Sequence, residues 1–162
     1  MKENIFEIKH SEFGDEEFEI TESKYNLYKT EDGIWEFTIC FDTLKSIKRA
    51  KALEGIIDPT PNFEATAILN SNDLTIDKGK IITQKEGYDS NREENLSNVY
   101  YFEHNSVEEL EINVVEYNAE YLIINAKGKA IINGSNGNNP DSDLFIHLTK
   151  FELDKDLERG IM

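Results

Sequence analysis

Residues 24–41, KYNLYKTEDGIWEFTICF, decide how the rest of the chain is read. Apolar and polar side chains alternate on both sides of Thr30–Gly33. In the second segment Trp35, Phe37, Ile39 and Phe41 share one face, and Ile34, Glu36, Thr38 and Cys40 share the other. A period of two puts successive side chains on opposite faces of a strand. Asp32-Gly33 between two such segments is a strong hairpin signal, because glycine accepts the positive φ that the turn needs. The stretch therefore predicts two antiparallel strands with one face buried.

The same period recurs outward in both directions. IFEIKHSEF and EEFEITE near the N-terminus read as strands, as do NFEATAIL (62–69), Leu74–Ile76, the segment KIITQ and VYYFEH (99–104). Residues 107–132 form a long hairpin. Leu110, Ile112 and Val114 alternate in one arm, and Leu122, Ile124, Ala126, Ala130 and Ile132 in the other, with Asn118-Ala119 at the turn. Gly128 interrupts the second arm and predicts a bulge or a close backbone approach. The last strand, LFIHLTKF (144–151), sets Leu144, Ile146 and Leu148 against Phe145, His147, Thr149 and Phe151. The total is about eight to ten strands joined by short connections, which favours antiparallel neighbours. No βαβ rhythm, repeat or linker breaks residues 1–162, so the chain reads as a single acidic β-rich domain. The expected fold is mainly β, an antiparallel two-layer β-sandwich or strongly curved sheet.

One stretch keeps another period. In TLKSIKRAKALEG (43–55), Leu44, Ile47, Ala50 and Leu53 recur every third residue. Asp42 or Thr43 suits an N-cap, and Gly55 suits the position beyond a C-terminus. The pattern predicts one short surface helix near residues 43–54. It is also the basic island of the chain, with Lys45, Lys48, Arg49 and Lys51 against Glu54.

Charge sets the partners. With 17 Lys and Arg against 33 Asp and Glu, the formal net charge is -16. Nucleic-acid phosphates and anionic lipid repel such a surface, and basic proteins are drawn to it. Neither an export-type apolar segment nor a stretch near ~18 apolar residues occurs, and the expected location is cytoplasmic. The single cysteine, Cys40, stands between Ile39 and Phe41 and is expected to be a buried structural thiol.

The residues give no catalytic pattern. His10, His104 and His147 are far apart, without nucleophile-elbow or zinc spacing. Asp141-Ser142-Asp143 after Asn136, Asn138 and Asn139 lacks the closing Glu of a calcium loop and reads as an Asx-rich turn. No phosphate-binding loop is present, so neither cofactor nor metal is expected, and no enzyme activity. The aperiodic loops 87–98 and 133–143 offer the candidate partner-binding residues Asp89, Glu93, Glu94, Asp141 and Asp143. The expected function is an acidic protein-binding protein, of inhibitor or immunity type, that sequesters a basic partner such as a toxin nuclease. One alternative is a small-molecule-binding or enzymatic barrel or sandwich with a pocket around Trp35, Tyr100 and Tyr101. Another is a phage or assembly component.

Overall fold

The computed structural model of the chain describes residues 2–69, 75–132 and 141–154, with the side chain of Asp141 outside the description. The strands are β1 (Ile5–His10), β2 (Gly14–Lys29), β3 (Trp35–Lys48), β4 (Asn62–Leu69), β5 (Ile81–Gln84), β6 (Tyr88–Asp89), β7 (Glu94–Asn95), β8 (Ser97–Tyr101), β9 (Glu103–Tyr117), β10 (Tyr121–Ile131) and β11 (Asp141–Leu153). All but β6 and β7 belong to one nine-stranded sheet.

That sheet closes on itself. β1 pairs with β2 and β11, and β10 pairs with both β9 and β11, so the ladder returns to its start. β8 pairs with Ser106–Glu103 of β9 and β5 with Asn113–Leu110, along the edge of β9 that faces away from β10. They act as one strand interrupted by the β6–β7 hairpin. The ring is then an eight-position up-and-down barrel in chain order. Closure removes the free edges that make open sheets sticky. The parallel contact of Glu152 and Leu153 with Lys24 and Tyr25 follows from the same geometry. β1 lies antiparallel to both β2 and β11, and the two meet directly beyond the start of β1.

The alternation read in the sequence fills the barrel. Phe37, Ile39 and Phe41 point inward with Phe6, Ile8, Phe63 and Ala65. Phe41 is the aromatic centre, 5.2 Å from Phe6, 5.3 Å from Phe63 and 6.3 Å from Phe151 between ring centroids. The space among Phe63, Val107, Leu110, Leu144 and Ile146 is too narrow for a water molecule. Eight strands enclose an interior that side chains can fill without leaving a channel. Among the described residues no helix is long and apolar enough to cross a membrane.

Four local expectations change. The helix over 43–54 shrinks to one 3-10 turn, Lys51–Leu53, and Leu44–Lys48 continue β3. Ile20 pairs with Thr43 and Phe18 with Ser46, then Glu17 with Lys48. Two extra residues are therefore squeezed into β3 as bulges, and a strand bulged twice in succession repeats every three residues. Leu44 and Ile47 belong to these bulges and are 50% and 60% exposed, while Ala50 and Leu53 are buried. The Thr43 hydroxyl caps no helix and donates to the Pro61 carbonyl at 2.6 Å.

Cys40 is exposed on the outer face, opposite Lys24 and Glu64. The apolar neighbours that suggested burial lie on the other face. In β11 the alternation slips at Leu148 (φ 33), whose amide donates to Asn125 Oδ1 at 2.8 Å. Thr149 and Phe151 consequently turn inward in place of Leu148. Thr75 and Ile76 form no strand, and residues 70–74 and 133–140 lie outside the described residues.

Candidate functional site

A filled barrel leaves its outer wall and its two ends for contact with other molecules. The wall carries rows of opposed charge set by strand register. Lys129 lies opposite Glu108 and Asp143, and Lys9 lies opposite Asp143 and Asp15. One step along, Lys127 pairs with Glu111 at 3.2 Å. Side chains directly opposite on one face are close enough to offset each other's charge. Asp143 is exposed but stands in a strand between two lysines, not in the loop where the sequence placed it. Asp141 opens the same strand.

The segment 87–98 also gains structure. It holds the β6–β7 hairpin and the start of β8. Asp89 Oδ1 accepts the amides of Asn91 at 2.9 Å and Arg92 at 3.3 Å, which forms the turn. Arg92 then fastens the hairpin to the wall. Its Nη1 lies 3.3 Å from Glu36 Oε2 and 3.4 Å from Glu94 Oε1, and its Nε 3.7 Å from Asp89 Oδ2. Glu36, buried on the barrel side, is the anchor that sequence reasoning passed over. The base of the hairpin is Gly87, whose amide donates to Glu108 Oε2 at 2.7 Å and whose carbonyl accepts from Leu96 at 2.6 Å.

These acids therefore divide. Asp89 and Glu94 are held by Arg92, while Glu93 (φ 55) is exposed and without an ion pair among the described residues. Glu86 and Glu109, beside the base of the hairpin, are likewise exposed and unpaired among the described residues. The amide of Glu109 donates to the Lys85 carbonyl at 2.7 Å, which ties the two segments together. Sequence reasoning missed Glu86 and Glu109 because no spacing links them; only strand pairing does.

The histidines have separate settings. His10 Nδ1 accepts the amides of Glu12 and Phe13 at 3.1 and 2.9 Å, and its Nε2 faces the Ile132 carbonyl at 3.0 Å. It is a buried turn-former. His147 hydrogen-bonds Glu7 at 2.8 Å and borders an open groove of about 390 Å³ with Asn113, Asn125 and Phe145. His104 borders an open notch of about 370 Å³ with Glu103 and Glu108. Burial raises the pKa of Glu7, but hydrogen bonds from His147 and Lys2 and the charges of Lys2 and Lys9 outweigh it and leave the carboxyl below its ordinary value. No group of three or more His, Cys, Asp or Glu among the described residues is arranged to hold a metal ion. Trp35 begins β3 at one end of the barrel, and Tyr100 and Tyr101 finish β8 at the other. Tyr101 is wholly buried, so the three aromatics line no common pocket.

The basic island is architecture at its centre. Arg49 Nη1 lies 3.2 Å from Glu16 Oε2 and 3.3 Å from Asp58 Oδ1. Its Nη2 donates to the carbonyls of Leu53, Ile56 and Ile57 at 3.1, 2.9 and 3.1 Å. Glu16 is 1% exposed and also accepts from the Tyr101 hydroxyl and from the Ala50 amide. Burial first, and the bond to Glu16 second, push the Tyr101 phenol far above its ordinary pKa. One guanidinium thus folds residues 50–58 against the barrel end. Compared with family models, characterised proteins and solved structures, the chain matches none.

Proposed function

We propose that the chain is an acidic protein-binding protein, of inhibitor or immunity type, that holds a basic partner such as a toxin nuclease against its outer wall. The observation that carries this reading is the clasped β6–β7 hairpin. Arg92 is shared among Glu36, Asp89 and the exposed Glu94, so the cluster stays net acidic, and Glu93 in the hairpin turn and Glu86 and Glu109 near its base are exposed, with Tyr88 exposed on the same hairpin. An acidic hairpin held against the wall, with an exposed tyrosine, suits a cationic surface, since charge steers the encounter and tyrosine supplies contact area at small entropic cost. Asp141 and Asp143 belong to the reading as flanking acids, with Asp143 weakened by Lys9 and Lys129.

The test is recovery of a cationic protein from native lysate by the immobilised chain, followed by titration of that protein at rising salt. Binding should weaken steeply with ionic strength, and Glu86→Gln, Glu93→Gln and Glu109→Gln together should weaken it at least tenfold, about 1.4 kcal/mol. Recovery of no basic protein, or affinity indifferent to salt, would end the proposal.

A further inference from the structure

Where β9, β10 and β11 run side by side, strand register builds a groove into the outer wall. Asn113 lies opposite Asn125, and the register shift after Ile124 sets His147 and Leu148 beside Asn125. Two residues along each strand, Glu111 lies opposite Lys127 and Lys127 opposite Phe145. Residues two apart on one face are separated by about 6.7 Å, and three strands span about 10 Å. Between the two rows Ala126 and Ile146 pair with each other and turn their side chains inward, so the floor is backbone. The space measures about 390 Å³, within the range of small-ligand pockets, about 300–1,000 Å³.

The row of Asn113, Asn125 and His147 is set before anything binds. Glu7 is 4% exposed although it stands on the outer face, and its carboxylate holds His147 Nε2 at 2.8 Å. In the neutral ring that nitrogen carries the proton, which leaves Nδ1 as an acceptor. Asn125 Oδ1 accepts the amide of Leu148 at 2.8 Å, and the Asn125 NH2 remains to donate. Leu148 has φ 33. A bulky residue at positive φ is an outlier, and strain of this kind clusters at binding and catalytic sites. The Asn113 carboxamide is exposed and has no hydrogen-bond partner among the described residues.

The walls narrow the class of ligand. The ionised groups that line the groove, Glu111 and Lys127, neutralise each other at 3.2 Å, and a chain at -16 repels anions from it. Lys127 opposes a cation. Neither face of Phe145 is open to a flat aromatic ligand: the His147 ring stacks 5.9 Å away, and Lys9 Nζ lies 5.6 Å from the ring centre on the side of Asp143. What fits is a neutral molecule rich in groups that both donate and accept, which is the character of a hydroxyl. We propose that the groove binds a neutral polyhydroxyl molecule of hexose size, held by the Asn113 carboxamide, the Asn125 NH2 and His147 Nδ1. The hairpin around Glu93 is no part of the groove, so binding here stands or falls independently of the proposed protein partner.

The experiment titrates the isotope-labelled chain with methyl β-glucoside, methyl α-mannoside and sorbitol, and follows backbone and side-chain amides by NMR. An open site filled by about twelve heavy atoms binds with a dissociation constant on the order of 1 mM. At least one probe should shift the Asn113 and Asn125 side-chain amides and saturate in that range; the ring sugars and open-chain sorbitol separate the two forms such a ligand can take. Asn113→Ala and His147→Gln should each weaken binding at least fivefold, and Glu31→Gln, in the distant β2–β3 turn, should leave it unchanged. Asn113 has no partner to lose, and the amide spectrum verifies that each variant is folded. The proposal is overturned if no probe shifts those amides, if the shifts do not saturate, or if Asn113→Ala binds as the wild type does. Binding of inorganic phosphate or methylguanidinium in the groove in place of the neutral probes would overturn it as well.

Discussion

Arg49 shows how one side chain can settle the meaning of a whole stretch. Of the four basic residues in the island, it is the one drawn inward, to Glu16 and Asp58, while Lys45, Lys48 and Lys51 stay outside. Removing it leaves the buried Glu16 carboxylate without its cation, and a broken buried pair costs about 3–5 kcal/mol. Arg49→Ala should lower the urea midpoint accordingly, and Lys48→Ala should change stability by no more than about 0.5 kcal/mol. Equal effects from the two would show that the island is an ordinary solvated face. Cys40 makes a second prediction at this scale. Partial burial, then the carboxylates Asp154, Glu64 and Asp42, hold its thiol above the ordinary value. Less thiolate means slower alkylation. At neutral pH Cys40 should react with iodoacetamide more slowly than free cysteine, although its side chain is exposed; a faster reaction would contradict the assigned electrostatics.

The β6–β7 hairpin depends at element scale on a single small residue. A Cβ on Gly87 would stand 2.4 Å from the Val107 carbonyl oxygen and 2.9 Å from its nitrogen. Neither backbone atom can yield, so Gly87→Ala must push the hairpin off β9. Hydrogen exchange should speed up at Leu96 and Ser97, whose amides donate to the Gly87 carbonyl, while β1 and β2 keep their protection. Unchanged exchange at those two amides would show that the hairpin is held elsewhere. None of this could be read from GYDSNREENLSN, which has no period, because the hairpin is built from an Asx turn and one arginine that reaches Glu36 far away in the chain. By contrast, the Asp32-Gly33 hairpin and the arms of β9 and β10 follow directly from alternation, since half-burial of a strand writes itself into the sequence. Bulges defeat the same reading. They turned Leu44 and Ile47 into an apparent helical stripe and reversed the faces of β11 after Leu148. The candidate site was legible only as composition: Glu93 was named together with Asp89 and Glu94, and what separates it from them is the position of Arg92.

For the molecule as a whole, acid pulls in two directions. Protonating carboxylates relieves the self-repulsion of a chain at -16, which favours the compact state. It also dismantles the seam where β1 meets β11 and closes the barrel. There Glu7 lies 2.8 Å from His147 and 3.3 Å from Lys2, and Lys2 reaches Glu17 at 3.5 Å. The pKa of Glu7 in the fold lies below its ordinary 4.5, so its ionised form is the one the fold stabilises. The contribution is therefore complete above that ordinary value and fades as pH falls through the lowered one. Comparison with Glu7→Gln separates the seam from general repulsion, which both proteins share almost equally. Wild type should exceed the variant in stability at about pH 5, and the margin should narrow steadily as pH falls towards about pH 3. Urea unfolding of both proteins across that range measures it. A margin that stays level to the acid end would mean that Glu7 contributes by packing and not by charge, and the closing seam would then be held by backbone pairing alone.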